Sequence, residues 1–116
     1  MWRLDTLQRD MVIEGLDDYV GLWEIVNWVA RVDGPLDGDG MRANVMRRLR
    51  PLLLDGLVEP GFPSADGGFD SWSLNAEEAM ERIETEWRAL GRDPNIWDVC
   101  WFRNTPKGNA LARTTG

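Results

Sequence analysis

Residues 33–40, Asp-Gly-Pro-Leu-Asp-Gly-Asp-Gly, constrain the possible folds of this chain more than any other segment. Glycine and proline occupy four of the seven positions 34–40, and both residues disfavour the interior of helices and strands. We therefore expect a turn. Apolar residues recur at helical spacing on both sides of it, so the turn should separate two helices.

The two helices beside this turn are predicted over residues 18–31 and 41–55. Each has apolar residues at intervals of three and four, which places them on one buried face. Asp39 is the expected N-cap of the second helix, and Gly56 is its expected stop. Pro51 predicts a kink there or a division into two helices, because proline inside a helix costs about 3 kcal/mol.

Five further elements are predicted from caps, glycine stops and alternation: a helix over 5–14, a strand over 57–62, a helix over 76–90, a strand over 97–103 and a closing helix over 105–113. Asp5 and Asn75 are followed three residues later by Gln8 and Glu78, the spacing of a capping box. Residues 63–70 are predicted to form a loop. The two strands should pair antiparallel, since a parallel pair needs a crossover connection.

One domain over residues 1–116 is expected, because 116 residues with 43% apolar content suffice for one hydrophobic core. Five residues on the apolar faces of their elements are predicted to share that core. They are Trp23, Val26, Leu49, Leu53 and Trp101.

The composition argues against an enzyme. The chain has no histidine, the usual acid–base group near neutral pH, and its one cysteine, Cys100, excludes an intramolecular disulfide and multi-cysteine metal sites. Cys100 lies in an apolar segment, which favours a buried and unreactive thiol. We expect no enzymatic activity, no cofactor and no metal. The sequence also has no predicted membrane span or signal peptide, so a cytoplasmic protein without a membrane partner is expected.

Two short patterns around the 33–40 turn look like ligand sites. Residues 38–43 match the spacing of a dinucleotide fingerprint, but that fingerprint works between a strand and a helix of a parallel sheet. A calcium loop starting at Asp37 would place Met41, Arg42 and Arg48 where oxygen ligands or glycine are required. Both patterns are interpreted as a glycine-rich turn before a helix.

Two segments resemble the winged helix-turn-helix superfamily. Residues 46–59, Met-Arg-Arg-Leu-Arg-Pro-Leu-Leu-Leu-Asp-Gly-Leu-Val-Glu, resemble the end of a recognition helix entering the first wing strand. Residues 101–112, Trp-Phe-Arg-Asn-Thr-Pro-Lys-Gly-Asn-Ala-Leu-Ala, resemble the second wing strand and its exit. The chain also looks like small winged-helix-like proteins of bacteria without an assigned activity, through residues 86–94. That likeness implies a fold and no activity.

The resemblance implies an α+β, mostly helical domain of winged-helix-like architecture. Its wing would be a two-stranded antiparallel pair that carries an inserted helix, with the insertion over about residues 63–96. The chain departs from the family pattern twice. The family normally has a short helix between residues 31 and 41, where this chain has a turn, and its wing is usually a tight hairpin.

Two functional hypotheses follow. The first is a non-enzymatic module that binds a protein partner or forms a homodimer, since the chain has a net charge of −7 and seven tryptophans. The tryptophans proposed for the interface are Trp28, Trp72 and Trp97. The second is a DNA-binding regulator that uses the 41–55 helix.

The DNA hypothesis depends on residues 40–54, which contain four arginines and no acid. The arginines are Arg42, Arg47, Arg48 and Arg50, and guanidinium groups suit phosphate and guanine contacts. The remainder of the chain then carries −11, which would repel a duplex. The alternative is that these arginines pair with acidic residues such as those of the 76–90 helix.

Overall fold

The computed structural model of the chain describes residues 4–115. Within this range the elements are the helices α1 (Thr6–Glu14), α2 (Leu22–Asp33), α3 (Gly38–Leu54), α4 (Ala76–Leu90) and α5 (Pro106–Thr115), and the strands β1 (Val20–Gly21), β2 (Val58–Pro63), β3 (Phe69–Ser71) and β4 (Trp101–Asn104). The predicted α+β, mostly helical class is confirmed, since 56% of the described chain is helical. None of the helices within residues 4–115 is long and apolar enough to cross a membrane.

The four strands of the described chain form one antiparallel sheet in the order β1-β4-β2-β3. The predicted antiparallel pairing of the second and last strands is confirmed, with Val58 opposite Asn104 and Gly61 opposite Trp101. The predicted count of two strands is wrong. Residues 69–71, assigned partly to a loop, form β3, and a bend over residues 64–68 joins it to β2 as a hairpin.

The other missed strand replaces the first turn predicted for the 18–31 helix. Val20 and Gly21 pair with β4, and α2 begins only at Leu22. Glu24 reaches back to cap it, because its Oε1 accepts a hydrogen bond from the Gly21 N–H at 3.1 Å. Val20 is buried and β-branched, so it is better placed in the sheet than in an exposed first turn.

The helix α3 begins three residues earlier than predicted and continues through its proline. The Oδ1 atom of Asp37 accepts a hydrogen bond from the Gly40 N–H at 2.7 Å, so Asp37 is the N-cap and Asp39 lies in the first turn. One helix passes through Pro51 to Leu54, so the division into two helices is wrong. Six buried side chains anchor it, and their burial offsets the cost of the proline: Met41, Val45, Met46, Leu49, Leu52 and Leu53.

Both predicted capping boxes are present, at Asp5 with Gln8 and at Asn75 with Glu78. The Nε2 of Gln8 also donates to the carbonyl of Arg48 at 3.0 Å, which fixes α1 against α3. Because these signals are local, both helices begin within one residue of their predicted starts.

The core lies between the helices and one face of the sheet. Val26, Leu49 and Leu53 are buried in it as predicted. Trp23 and Trp101 are only half-buried and lie outside the core cluster, so their assignment to the core is wrong. Phe102 takes the inward position instead.

Candidate interaction surface

The loop between α4 and β4, residues 91–100, is organised around one carboxylate. The Oδ2 of Asp98 accepts hydrogen bonds from the Asn95 N–H at 2.9 Å and from the Arg92 guanidinium at 2.7 Å. The N–H of Asp98 donates back to the Asn95 carbonyl at 3.0 Å. The two hydrogen bonds that the carboxylate accepts, from Asn95 first and then from Arg92, lower the pKa of Asp98 below its ordinary value. The Asp98 carboxylate therefore links Arg92 and Asn95 within the loop.

A strained turn follows directly after Asp98. The carbonyl of Asp98 accepts a hydrogen bond from the Cys100 N–H at 2.9 Å, and Val99 between them has φ +66°. Positive φ is unusual for any residue other than glycine and is strained for a β-branched one. Such strain persists only where the surrounding contacts impose it, and it clusters at functional positions. Here the turn at Val99 shifts the alternation of inward and outward side chains in the segment that enters β4.

The consequence is a pair of indoles in contact, of which Trp97 is exposed and Trp101 is half-buried. Trp97 lies against Trp101 with 5.4 Å between ring centroids and 37° between ring planes. The Nε1–H of Trp101 donates a hydrogen bond to the carbonyl of Ile96 at 2.9 Å, which fixes the indole of Trp101. Trp97 keeps 62% of its surface exposed and Ile96 keeps 46%. We call Ile96, Trp97 and Trp101 the Trp97 patch.

Two ion pairs flank the Trp97 patch. Arg92 and Asp98 form an ion pair within the loop. Arg103, two residues after Trp101 and on the same face of β4, forms an ion pair with Glu59 on β2. Its guanidinium carbon also lies 5.2 Å from the ring centre of Phe69. The patch is thus apolar and flanked by two ion pairs, on a chain of net charge −7, whereas Asp93 of the same loop has no ion pair among the described residues.

The four arginines of α3 are not gathered on one open surface. Three of them form ion pairs, namely Arg42 with Asp39 at 2.8 Å, Arg48 with Asp33 at 2.8 Å and Arg50 with Glu77 at 3.2 Å. Arg47 is exposed, donates to Asn44 at 3.3 Å and has no ion pair among the described residues. The predicted alternative, that these arginines pair with acidic residues, therefore holds for three of the four. The partner of Arg50 lies on α4.

The tryptophans proposed for an interface lie in three different places. Trp97 is in the patch just described. Trp72 is half-buried against the core, with the guanidinium carbon of Arg82 on α4 at 3.9 Å from its ring centre. Trp28 is half-buried in a groove of about 660 Å³ between α1 and α2. Trp2 lies outside the described residues, and Trp87 is buried in the core.

The sequence patterns do not predict Ile96 and Trp101 as interface residues, and they predict Trp101 in the core. The signal that could have found them is the spacing of Asn95 and Asp98. Asparagine followed three positions later by an acidic residue favours a turn. Such a turn interrupts the alternation of the strand predicted over residues 97–103. β4 accordingly begins at Trp101, and Phe102 rather than Trp101 points into the core.

Cys100 is fully buried, and that burial raises the pKa of its thiol well above the ordinary value. Among residues 4–115, no group of three or more acidic or cysteine side chains converges as a metal site. The chain matches no family model, no curated protein and no solved structure.

Proposed function

We propose that this chain is a non-enzymatic protein-binding module and that the Trp97 patch is its binding surface. The observation that carries the proposal is Trp97, which is 62% exposed while its ring is held on Trp101 by a strained, hydrogen-bonded loop. Tryptophan is enriched at the cores of protein interfaces, where a rigid ring loses little conformational entropy on binding.

The partner proposed for the patch is a second copy of the chain. Two chains of net charge −7 repel each other, so they associate best where the surface is neutral. At the Trp97 patch this repulsion is reduced, since Arg92 pairs with Asp98 and Arg103 pairs with Glu59. Aromatic rings are also self-complementary, as a two-fold symmetric contact requires.

We further propose that the domain is winged-helix-like. In support, α3 runs into β2, and β2 pairs antiparallel with β4, the order implied by the resemblance. Residues 64–100 between the two strands then form the enlarged wing, with β3 and α4 inside it. On this reading the Trp97 patch lies where the insertion returns to the second wing strand.

DNA binding through α3 is the second candidate function. It is favoured by the exposed Arg47 and by the absence of acids from residues 40–54. It ranks second because Arg42, Arg48 and Arg50 already have acidic partners, and their charge is locally neutralised.

Indole N–H resonances measured at increasing dilution test self-association directly. Between about 1 mM and about 20 µM protein, we expect the Trp97 indole signal to shift, because dilution dissociates a weak dimer. The buried Trp87 indole should stay fixed and serves as the internal control. A Trp97→Ser variant should show no dependence on concentration. Spectra of the unmodified protein that do not change on dilution would contradict the proposal.

A further inference from the structure

We infer that the groove between α1 and α2 is a second binding site, which receives a basic amphipathic helix from another protein. The groove has a volume of about 660 Å³, in the range of ligand-sized clefts. Its apolar and charged side chains come from both helices and from one residue of α3. None of its lining residues belongs to the Trp97 patch, so the two sites are independent.

The apolar part of the groove is suited to side chains from a partner. Ile13 on α1 and Trp28 on α2 are half-buried, and together with Leu7 on α1, which is itself buried in the core, they line the groove. Val32, at the end of α2, also lines it and is 66% exposed, the largest exposure of a large apolar residue in the described chain. A row of apolar side chains between two helices is the surface that accepts the apolar face of a third helix.

The α1 wall of the groove carries unpaired negative charge. Asp10 and Glu14 are exposed, lie four residues apart and have no ion pair among the described residues. Glu14 is the last residue of α1, where a negative charge opposes the helix dipole. The stability of α1 therefore does not account for Glu14, whereas lysine or arginine on a bound partner would neutralise both carboxylates.

The two arginines that line the groove indicate which charges the partner helix would carry on its other side. Arg31, on the α2 wall, also lacks an ion pair among the described residues, so it can receive one acidic residue of the partner. Arg48 also lines the groove and is already held by Asp33 at 2.8 Å, with Asp5 at 3.9 Å. The occupant is accordingly basic towards α1 and apolar towards Trp28.

A helix of about two and a half turns matches the length of α1. The nine residues of α1 span about 14 Å, which is the length of about nine helical residues in a partner. The chain's net charge of −7 adds long-range attraction for a basic partner and raises its rate of association.

The test uses three labelled 14-residue peptides, with binding followed by fluorescence anisotropy at about 150 mM salt, where surface charges are screened beyond about 8 Å. The first contains leucine at alternating intervals of three and four with lysine elsewhere. The second is a scrambled isomer without a continuous apolar face. The third replaces lysine with glutamate. We expect the first to bind at least about tenfold more tightly than either of the others.

Substitutions then locate the site. Asp10→Lys with Glu14→Lys should weaken binding of the first peptide by about tenfold or more. The matched control is Asp70→Lys with Glu81→Lys, which changes two exposed acids outside the groove and alters the net charge equally. It should weaken binding far less. Trp97→Ser should leave peptide binding unchanged, which separates this site from the Trp97 patch.

Three results would overturn the inference. Equal binding of the scrambled peptide would indicate charge attraction without a groove. Equal loss in the control pair would show that net charge alone drives binding. Loss of self-association in the Asp10→Lys, Glu14→Lys variant would identify a second copy of the chain as the occupant.

Discussion

The indole of Trp97 lies on the indole of Trp101, with 5.4 Å between their centroids, although Trp97 is 62% exposed. Trp101 is fixed in turn by its hydrogen bond to the Ile96 carbonyl. An exposed ring on a fixed support presents a large apolar surface at low entropic cost. This relationship underlies the proposed self-association.

Trp97 should matter less for folding than the buried Trp87. Trp97→Ala removes a ring contact worth about 0.5–1.5 kcal/mol and should reduce the free energy of unfolding by that amount. Trp87→Ala empties a buried site and should cost about 3–5 kcal/mol. Urea denaturation of both variants measures the difference. Equal losses would mean that Trp97 is a core residue.

Val99 offers a test of the strained turn. Val99→Gly and Val99→Ala remove nearly the same buried side chain, but alanine retains the Cβ that makes φ +66° unfavourable. We expect the glycine variant to be more stable than the alanine variant by about 1 kcal/mol, the reverse of the usual order. Thermal unfolding compares the two. An alanine variant that is the more stable would show that the turn is relaxed.

Asp98 should make the stability of the loop depend on pH. The pKa of its carboxyl is lowered in the folded protein by the Asn95 N–H and by Arg92, so the charged form is favoured on folding. Its stabilising contribution is present above the ordinary value of 3.8 and is lost as the pH falls towards the folded pKa. Asp98→Asn lacks this contribution. The gap in unfolding free energy between the two proteins should be widest near neutral pH and should narrow below about pH 4. A gap that does not change with pH would contradict the role of the charge.

The boundaries of α1 and α4 were the most predictable part of this fold, because the signals that set them are local. Asp5 with Gln8 and Asn75 with Glu78 cap their helices through neighbours three residues away. Gly91 ends α4 at φ +69°, as a glycine stop requires. Each signal involves one turn of chain and needs no tertiary partner.

The missed features depend on distant residues. β1 exists because Val20 pairs with Phe102, more than eighty residues away. The alternation around β4 is shifted by the turn at Val99, so Trp101 faces outward although the sequence predicted the opposite. The groove depends on how α1 packs beside α2. From sequence, Glu14 is one acid among many, and only its place in the groove distinguishes it.

Duplex DNA should bind this protein weakly. Three of the four arginines on α3 are paired, so we expect no micromolar binding to random duplex at about 50 mM salt, where electrostatic binding is strong. Gel-shift titration measures this, and Arg47→Ala is the informative variant because Arg47 lacks an ion pair among the described residues. Micromolar binding that Arg47→Ala weakens would place DNA binding ahead of self-association.

Sedimentation equilibrium of the unmodified protein and of Trp97→Ser tests the central claim most directly. The monomer mass is 13.2 kDa, and the average mass of the unmodified protein should rise towards twice that value as concentration increases. Added salt should not reduce the rise, since the contact is apolar and the repulsion between acidic chains is screened. Trp97→Ser should remain at 13.2 kDa throughout. An unmodified protein that stays monomeric at about 1 mM, or a Trp97→Ser variant that dimerises equally well, would contradict the account.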